Sequence, residues 1–133
     1  MKKFILTLLF SVLFITGCKC DRGLILFNSQ PITRDSLLNN DKVFSTGQKV
    51  YYIFLAPKKM YSEFIRVQVF KMTDKAPWGG NEVVRTKDYR LMKDERYYHT
   101  DYFTFYESGR YVMQIFLHEN FKTPIAICDF YVK

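Results

Sequence analysis

The sequence predicts an all-β domain, an antiparallel β-sandwich of about seven strands. Runs rich in β-branched and aromatic residues recur at intervals of roughly 8–15 residues, separated by residues typical of turns. Several runs alternate apolar with polar residues, which is the period of a strand buried on one face. No helical pattern long enough to matter follows residue 17. Short strands of this kind bury their apolar faces in two packed sheets.

The first two predicted strands lie between clear turn signals. Residues 24–28 are followed by Pro31, and residues 35–41 are polar enough for a loop or a single helical turn. Residues 49–56 are rich in Val, Tyr, Ile and Phe. Pro57 ends that run, because proline lacks the N–H that a ladder of hydrogen bonds requires.

The middle of the chain contributes two predicted strands of different character. Residues 64–72 place Ile65, Val67 and Val69 on one face and polar residues on the other. A turn region with a proline and two glycines follows. Residues 82–86 come after it and are predicted to form a short edge strand.

Three further runs complete the predicted sandwich. Residues 96–106 form a long aromatic run, and residues 111–118 alternate after a tight turn at Gly109. Residues 124–132 form the last predicted strand, whose apolar face includes Cys128.

A local motif resembles the tyrosine corner of immunoglobulin-like domains, in which Asp-x-Gly/Ala-x-Tyr-x-Cys begins the penultimate strand. Here the motif spans residues 107–113, with Gly109 and Tyr111 at the matching positions. The resemblance implies that Tyr111 buries its ring and returns its hydroxyl to the backbone, because a buried phenol needs a partner. It also implies that Gly109 supplies the conformational freedom that the corner needs.

Two positions depart from the immunoglobulin pattern. Glu107 replaces the aspartate, and Met113 stands where the second disulfide cysteine would be. Residues 49–56, the candidate partner strand, contain no cysteine. The sequence therefore resembles the disulfide-free immunoglobulin-like sandwiches that are common in bacterial envelope proteins.

The first 17 residues have the pattern of an export signal. Two lysines near the start precede a nearly continuous apolar segment, residues 4–15. As a helix this segment would span about 18 Å, which is too short for a bilayer core of about 30 Å. We therefore expect residues 1–17 to be a signal peptide.

The signal ends in a motif that resembles the lipobox of bacterial lipoproteins, Ile15-Thr16-Gly17-Cys18. The resemblance implies cleavage before Cys18 and attachment of acyl chains to it, and two or three chains anchor a protein stably. The alternative is an ordinary secretory signal with a chance cysteine. Residues 18–23 would form a short lipidated tether, and residues 24–133 the domain.

The lipobox also predicts where the protein acts. A bacterial cell envelope is expected, with the outer membrane favoured over the inner one because Lys19, and not an aspartate, follows Cys18. Export argues against a nucleic-acid partner. Removal of residues 1–17 also changes the charge: the full chain carries +7, and the remaining 116 residues carry +5.

No catalytic, metal or cofactor site is predicted. The chain has no phosphate-binding glycine loop and no Ser/His/Asp set. Its two histidines, His99 and His118, are expected on the surface, since neither has a second histidine at metal-ligand spacing. We therefore predict that the protein is not an enzyme.

The two remaining cysteines, Cys20 and Cys128, leave an alternative open. Export permits a disulfide between them. A parallel arrangement of the first and last strands would separate them by more than about 7 Å, the limit for a bridge. Cys128 is therefore expected to pack as a small apolar side chain, and the bridge is kept as the alternative.

The aromatic residues offer a candidate recognition surface. Trp78 lies between a proline and two glycines, where a loop could present it to a partner. Four tyrosines could form a shelf for sugar rings. The alternative is that aromatic side chains fill the core and cover the sheets. These tyrosines are Tyr97, Tyr98, Tyr102 and Tyr106.

Two function hypotheses remain. In the first, the protein is a non-enzymatic envelope lipoprotein whose sandwich binds an envelope protein, a glycan or an anionic lipid. Lys58 and Lys59 are its candidate binding residues, since they begin a segment, 58–96, with ten basic and six acidic residues. A solvated face is the alternative interpretation of that segment. In the second hypothesis, the protein is a structural accessory subunit of a larger envelope complex and binds through an exposed sheet edge.

Overall fold

The computed structural model describes residues 22–73 and 80–133, which form eight strands in two sheets. This confirms the predicted all-β sandwich. The predictions for Cys18, Cys20 and Trp78 concern residues outside those ranges. The strands are β1 (Leu24–Asn28), β2 (Val43–Phe44), β3 (Lys49–Leu55), β4 (Phe64–Thr73), β5 (Gly80–Arg90), β6 (Tyr98–Thr104), β7 (Gly109–Leu117) and β8 (Ala126–Val132).

The small sheet has the order β1-β3-β6, and the large sheet has the order β2-β8-β7-β4-β5. The two-residue strand β2 pairs in parallel with β8, and the other pairs in the described ranges are antiparallel. The register of the large sheet places Val67 opposite Ile115 and Met113 opposite Cys128. Within residues 22–73 and 80–133 there is no helix of the length and apolar character that crossing a bilayer requires.

Aromatic rings hold the two sheets together. Phe27 of β1 lies 4.8 Å from Phe130 of β8, centroid to centroid, and Phe130 stacks on Tyr111 at 5.5 Å. Phe105 contacts both Phe130 and Tyr111. Such ring pairs contribute about 0.5–1.5 kcal/mol each beyond the burial of their area. The aromatic content thus fills the interior of a small domain that needs large side chains.

Two strands differ from the sequence prediction. The pattern gave no sign of β2, because two residues show no alternation. β5 is predicted as residues 82–86 but extends over eleven residues at the edge of the large sheet. It contains a bulge, since Val69 faces Arg85 while Phe70 faces Val83, leaving an extra residue between them.

Candidate functional site

The tyrosine corner lies where β7 begins. The Tyr111 hydroxyl donates a hydrogen bond of 2.7 Å to the carbonyl oxygen of Glu107, and the ring is buried. Gly109 has φ +153°, a conformation that favours glycine, and a Cβ there would lie 3.0 Å from Cε of Lys71. Lys71 also pairs with the Glu107 carboxylate at 2.6 Å. This corner fixes the turn into β7, and Tyr111 and Glu107 line one side of a depression of about 230 Å³ beside it.

Several loops meet at one end of the sandwich, which we call the amino end. It comprises Gly23, just before β1, and the loops 56–63, 91–97 and 118–125. Gly23 donates its N–H to the carbonyl of Ile125 at 2.7 Å. A side chain at Gly23 would collide with the Phe54 ring and the Leu55 carbonyl. The chain therefore enters the domain along a fixed path at this end.

Backbone hydrogen bonds tie the loops of the amino end to one another. Met60 N donates to the Arg96 carbonyl at 2.8 Å, and Leu91 N donates to the Glu63 carbonyl at 2.8 Å. The Arg96 guanidinium donates to the carbonyl of Ser62 at 2.5 Å. These contacts hold loop 56–63 in place against loop 91–97.

A groove of about 340 Å³ opens at the amino end. Its walls come from loop 56–63 on one side and from the connection between β7 and β8 on the other. They are mostly apolar, which is the usual character of a small-molecule site. The apolar residues that line it are Ala56, Pro57, Met60, Tyr61, Leu117 and Ile125.

Lys58 and Lys59, the predicted binding residues, lie on the rim of this groove. Both are exposed, and neither belongs to an ion pair among the residues that the structure describes. Lys59 also borders a shallow depression with Lys93 and Arg96. The amino end thus combines an apolar groove with two lysines on its rim, and the carboxylate of Glu119 also lines it.

Three other basic residues of segment 58–96 pair with carboxylates. Arg66 makes a two-bonded pair with Asp88, at 2.8 and 3.0 Å, on the outer face of the large sheet. Lys87 pairs with Asp101 at 3.1 Å, and Lys71 belongs to the tyrosine corner. Lys58 and Lys59 differ from these three basic residues in having no ion pair among the described residues.

Trp78 lies in the connection between β4 and β5, outside the described residues. The ends of those strands, Thr73 and Gly80, face each other at the end of the sandwich opposite the amino end. The strand ends that flank Trp78 are thus remote from Lys58 and Lys59.

The four candidate tyrosines do not form one shelf. Tyr98 and Tyr102 lie on the outer face of β6, where Tyr102 packs against Tyr51 at 5.4 Å. Tyr97 belongs to the amino end, and Tyr106 belongs to the loop at the opposite end. The two in the loops are exposed by 57% and 75%, so they are not core residues either.

The expectation of two surface histidines is wrong for His99. His118 is exposed, whereas His99 is only 6% exposed, because it points inward from β6. Its ring centroid lies 4.2 Å from that of Tyr89, and its Nε2 has no hydrogen-bond partner among the residues that the structure describes. Burial lowers the pKa of His99, against the opposing charges of Glu95 and Asp101.

His99 adjoins a polar cluster that joins the sheets where β5 and β6 form their edges. The Tyr89 hydroxyl donates to the Asp101 carboxylate at 2.5 Å and lies 3.4 Å from the Tyr52 hydroxyl. Burial raises the pKa of Asp101, but hydrogen bonds from Tyr89, the Tyr102 N–H and Lys87 outweigh it, so the net pKa is lowered. Burial raises the pKa of both tyrosines of this pair. The cluster holds the Asp101 carboxylate beside two protonated phenols and links the two sheets, so its role is structural.

Within the described ranges no three His, Cys, Asp or Glu side chains are placed to hold a metal ion. Cys128 is a free thiol on β8, opposite Met113, and its sulfur lies 2.8 Å from Nζ of Lys42. The same Nζ donates to the Asp129 carbonyl at 3.0 Å. Lys42 thus ties the segment before β2 to β8.

The edges of the sheets are partly obstructed. Asp41 donates its N–H to the Phe27 carbonyl on the outer side of β1. Arg85, on the edge strand β5, reaches the Thr104 carbonyl of β6 at 3.5 Å. Charged side chains and a bulge on an edge strand hinder the addition of another strand. β5 and β6 still end their sheets, so strand addition there is hindered and not blocked.

Comparisons with known proteins agree with the fold. No protein-family model and no curated protein matches the sequence. Among solved structures, an immunoglobulin-like protein from Pseudomonas aeruginosa is similar over 83% of this chain and 92% of its own, with 14% identity and a TM-score of 0.50.

Two enzymes are similar at a lower level. A Pseudomonas fluorescens alkylpurine DNA glycosylase, bound to DNA with an abasic-site analogue, matches over 82% of this chain and 30% of its own, at 7% identity and a TM-score of 0.41. A Kluyveromyces marxianus β-glucosidase, in complex with glucose, matches over 85% and 14%, at 12% identity and 0.39. Both TM-scores lie below 0.5, so these two carry no argument about this chain. The first likeness establishes that the chain has an immunoglobulin-like sandwich fold.

Proposed function

We propose that the chain is a bacterial envelope lipoprotein, anchored by acyl chains on Cys18. All four lipobox positions, 15–18, support this proposal, together with the charged and apolar segments before them. In the folded domain, β1 begins at Leu24, only six residues after Cys18. The anchor would then lie close to the amino end of the sandwich.

The domain acts as a non-enzymatic binding module. The observation that carries this proposal is the groove at the amino end, which has apolar walls and Lys58 and Lys59 on its rim. Its lining contains one carboxylate, that of Glu119, and no histidine or cysteine, so it is suited to binding and not to acid–base catalysis. The envelope partner would be a protein, a glycan or an anionic lipid. The accessory-subunit alternative has less support, because charged side chains and a bulge on the edge strand β5 hinder the strand addition that it would use.

The anchor is tested by Cys18→Ala in the native bacterium. We expect the wild-type protein to incorporate labelled palmitate and to fractionate with the membrane, and the variant to do neither. Cys128→Ala is the matched control, since it removes a thiol that carries no lipid in this proposal. Labelling that persists in Cys18→Ala would contradict the lipoprotein assignment.

Localisation is tested in the same strains. Density separation of the membranes should recover the wild-type protein with the outer membrane, as Lys19 predicts. Recovery with the inner membrane would contradict that part of the proposal. Intact cells are then treated with protease. Digestion of the protein would indicate a partner at the cell surface, and protection would indicate a periplasmic partner.

A further inference from the structure

The groove at the amino end has the chemistry of an amphiphile site. Its volume of about 340 Å³ lies near the lower end of the range, about 300–1,000 Å³, that small-molecule sites occupy. Met60, Leu117 and Ile125 give it apolar walls, while Lys58 and Lys59 stand at the mouth. An apolar chain with an anionic head would place its chain on the walls and its charge on the rim.

The loops around the groove carry exposed aromatic side chains. Tyr61 is 86% exposed, Tyr97 57% and Phe121 42%, and all three belong to loops of the amino end. Tyrosine side chains favour the boundary between lipid and water, because the ring is apolar and the hydroxyl is polar. Lysines beside them can reach lipid phosphates with their long side chains. The amino end of the domain thus has the residue composition that is typical of a surface at the membrane interface.

The tether limits how far this surface can lie from the membrane. Five peptide units separate Cys18 from Gly23, so even a fully extended chain spans only about 17 Å between them. Gly23 is fixed to Ile125, which itself lines the groove. A membrane that holds Cys18 therefore lies within reach of the groove and its lysines.

We propose that the groove binds an anionic phospholipid of the membrane in which the protein is anchored. One acyl chain enters the groove, and the phosphate pairs with Lys58 and Lys59. The domain is thereby held with its amino end against the bilayer. The position of the membrane in this proposal rests on the proposed anchor at Cys18.

The test uses tryptophan probes in the acylated full-length mature protein, reconstituted into vesicles. Trp78→Phe first removes the only native tryptophan. Tyr61→Trp then places a probe on the groove, and Tyr106→Trp places a matched probe at the opposite end, where the native tyrosine is also exposed. The vesicles contain phosphatidylcholine and a minority of phosphatidylglycerol, with bromine at mid-chain as the quencher.

We expect mid-chain bromine to quench the probe at position 61 strongly and the probe at position 106 hardly at all. Equal quenching of the two probes, or none at position 61, would overturn the proposal. Quenching at position 61 by a headgroup quencher alone would overturn it too, because the loop would then lie on the surface with no chain in the groove. The proposal would also be overturned if the protein's own acyl chain filled the groove. In that case the fluorescence of the probe at position 61 would respond to loss of acylation and not to brominated vesicle lipid.

The role of the charges is tested by the double variant Lys58→Gln, Lys59→Gln. Each lysine near an anionic surface raises the equilibrium constant for docking about fivefold. Replacing both lysines should therefore lower that constant roughly 25-fold, which is measured as lost quenching at position 61. The control is Lys49→Gln, Lys133→Gln, which removes the same charge from exposed positions at the opposite end. Equal effects of the two double variants would overturn the phosphate contact.

The anchor is read separately, from the mass of the peptide that contains Cys18. If Cys18 carries no acyl chain, the proposed function fails, and the same quenching is measured with the unacylated full chain added to the vesicles. Quenching at position 61 would then still support the lipid site. Its absence would overturn that site as well.

Discussion

His99 is buried between the sheets, and within the described ranges its Nε2 is unpaired, an arrangement that costs about 1–3 kcal/mol for a neutral polar atom. Protonation would cost more, since Lys87 lies nearby and burial disfavours a charged ring. Glu95 and Asp101 oppose this effect, but the net pKa of His99 is lowered. The tyrosines that face it, Tyr52 and Tyr89, stay neutral because burial raises their pKa values.

The lowered pKa of His99 predicts that stability falls on mild acidification. The unfolded chain takes up a proton near the ordinary value of 6.5, whereas the folded protein takes it up only at lower pH. Stability is therefore lost as the pH falls below about 6.5, by about 1.4 kcal/mol for each unit of difference between the two pKa values. Denaturant unfolding between about pH 7.5 and 5 measures this loss.

His99→Phe should remove that loss, because phenylalanine has no group that titrates. His118→Gln is the control, since it removes an exposed histidine just after β7 and leaves His99 in place. An unaltered pH profile in His99→Phe would contradict the prediction. The titration of Asp101 does not interfere, since its pKa is below 3.8 and lies outside this range.

The elements that the sequence predicts correctly are those with a local signature. The alternation of Ile65, Val67 and Val69 in β4 is periodic, and all three side chains are fully buried. β5 is longer than predicted because Lys87 and Asp88 look like loop residues, although Asp88 pairs with Arg66 of β4 and Lys87 pairs with Asp101 of the small sheet. Sequence alone cannot show such partners, because they lie far away along the chain.

The candidate site was predictable only in part, for the same reason. Lys58 and Lys59 stand out as a basic pair after a strand, and the structure places them on a groove. The groove itself has no local signature, since its two walls, around Ala56 and Leu117, are about 60 residues apart in the sequence. The burial of His99 was also missed, because alternation within an aromatic run does not show which face is inward.

The shortest strand gives a prediction about packing. β2 has only two residues, yet Phe44 is 2% exposed and meets Phe130 edge-on at 6.0 Å. Phe44→Ala should therefore destabilise the protein by about 3–5 kcal/mol, through lost burial and a cavity. Val43→Ala, at a neighbouring position that is 51% exposed, should cost less than about 0.5 kcal/mol.

Both changes are measured as shifts in the free energy of unfolding. If Phe44→Ala does not fold, Phe44→Leu offers a milder test, with an expected loss of about 1–2 kcal/mol. Equal losses for the replacements at positions 43 and 44 would show that β2 is a frayed end and no part of the core.

The dimensions of the whole molecule limit how it can lie on a membrane. β5 runs from the opposite end to the amino end, and its eleven residues span about 34 Å. The tether from Cys18 to Gly23 is at most about 17 Å long. If the amino end lies on the bilayer, the opposite end is therefore held well away from it, and the outer face of the large sheet, with its Arg66–Asp88 and Arg110–Asp129 pairs, stays in water.

This orientation predicts which lysines a membrane protects. In the reconstituted, acylated protein, amine-reactive labelling should be several-fold slower at Lys58, Lys59 and Lys93 than in the same protein in detergent, because lipid headgroups cover them. Lys49 and Lys133 lie at the opposite end and should react equally in both states. Mass spectrometry of labelled peptides gives each rate within one sample. Protection spread evenly over all five lysines would mean that the domain lies on its side, and protection of none would mean that it swings free on its tether.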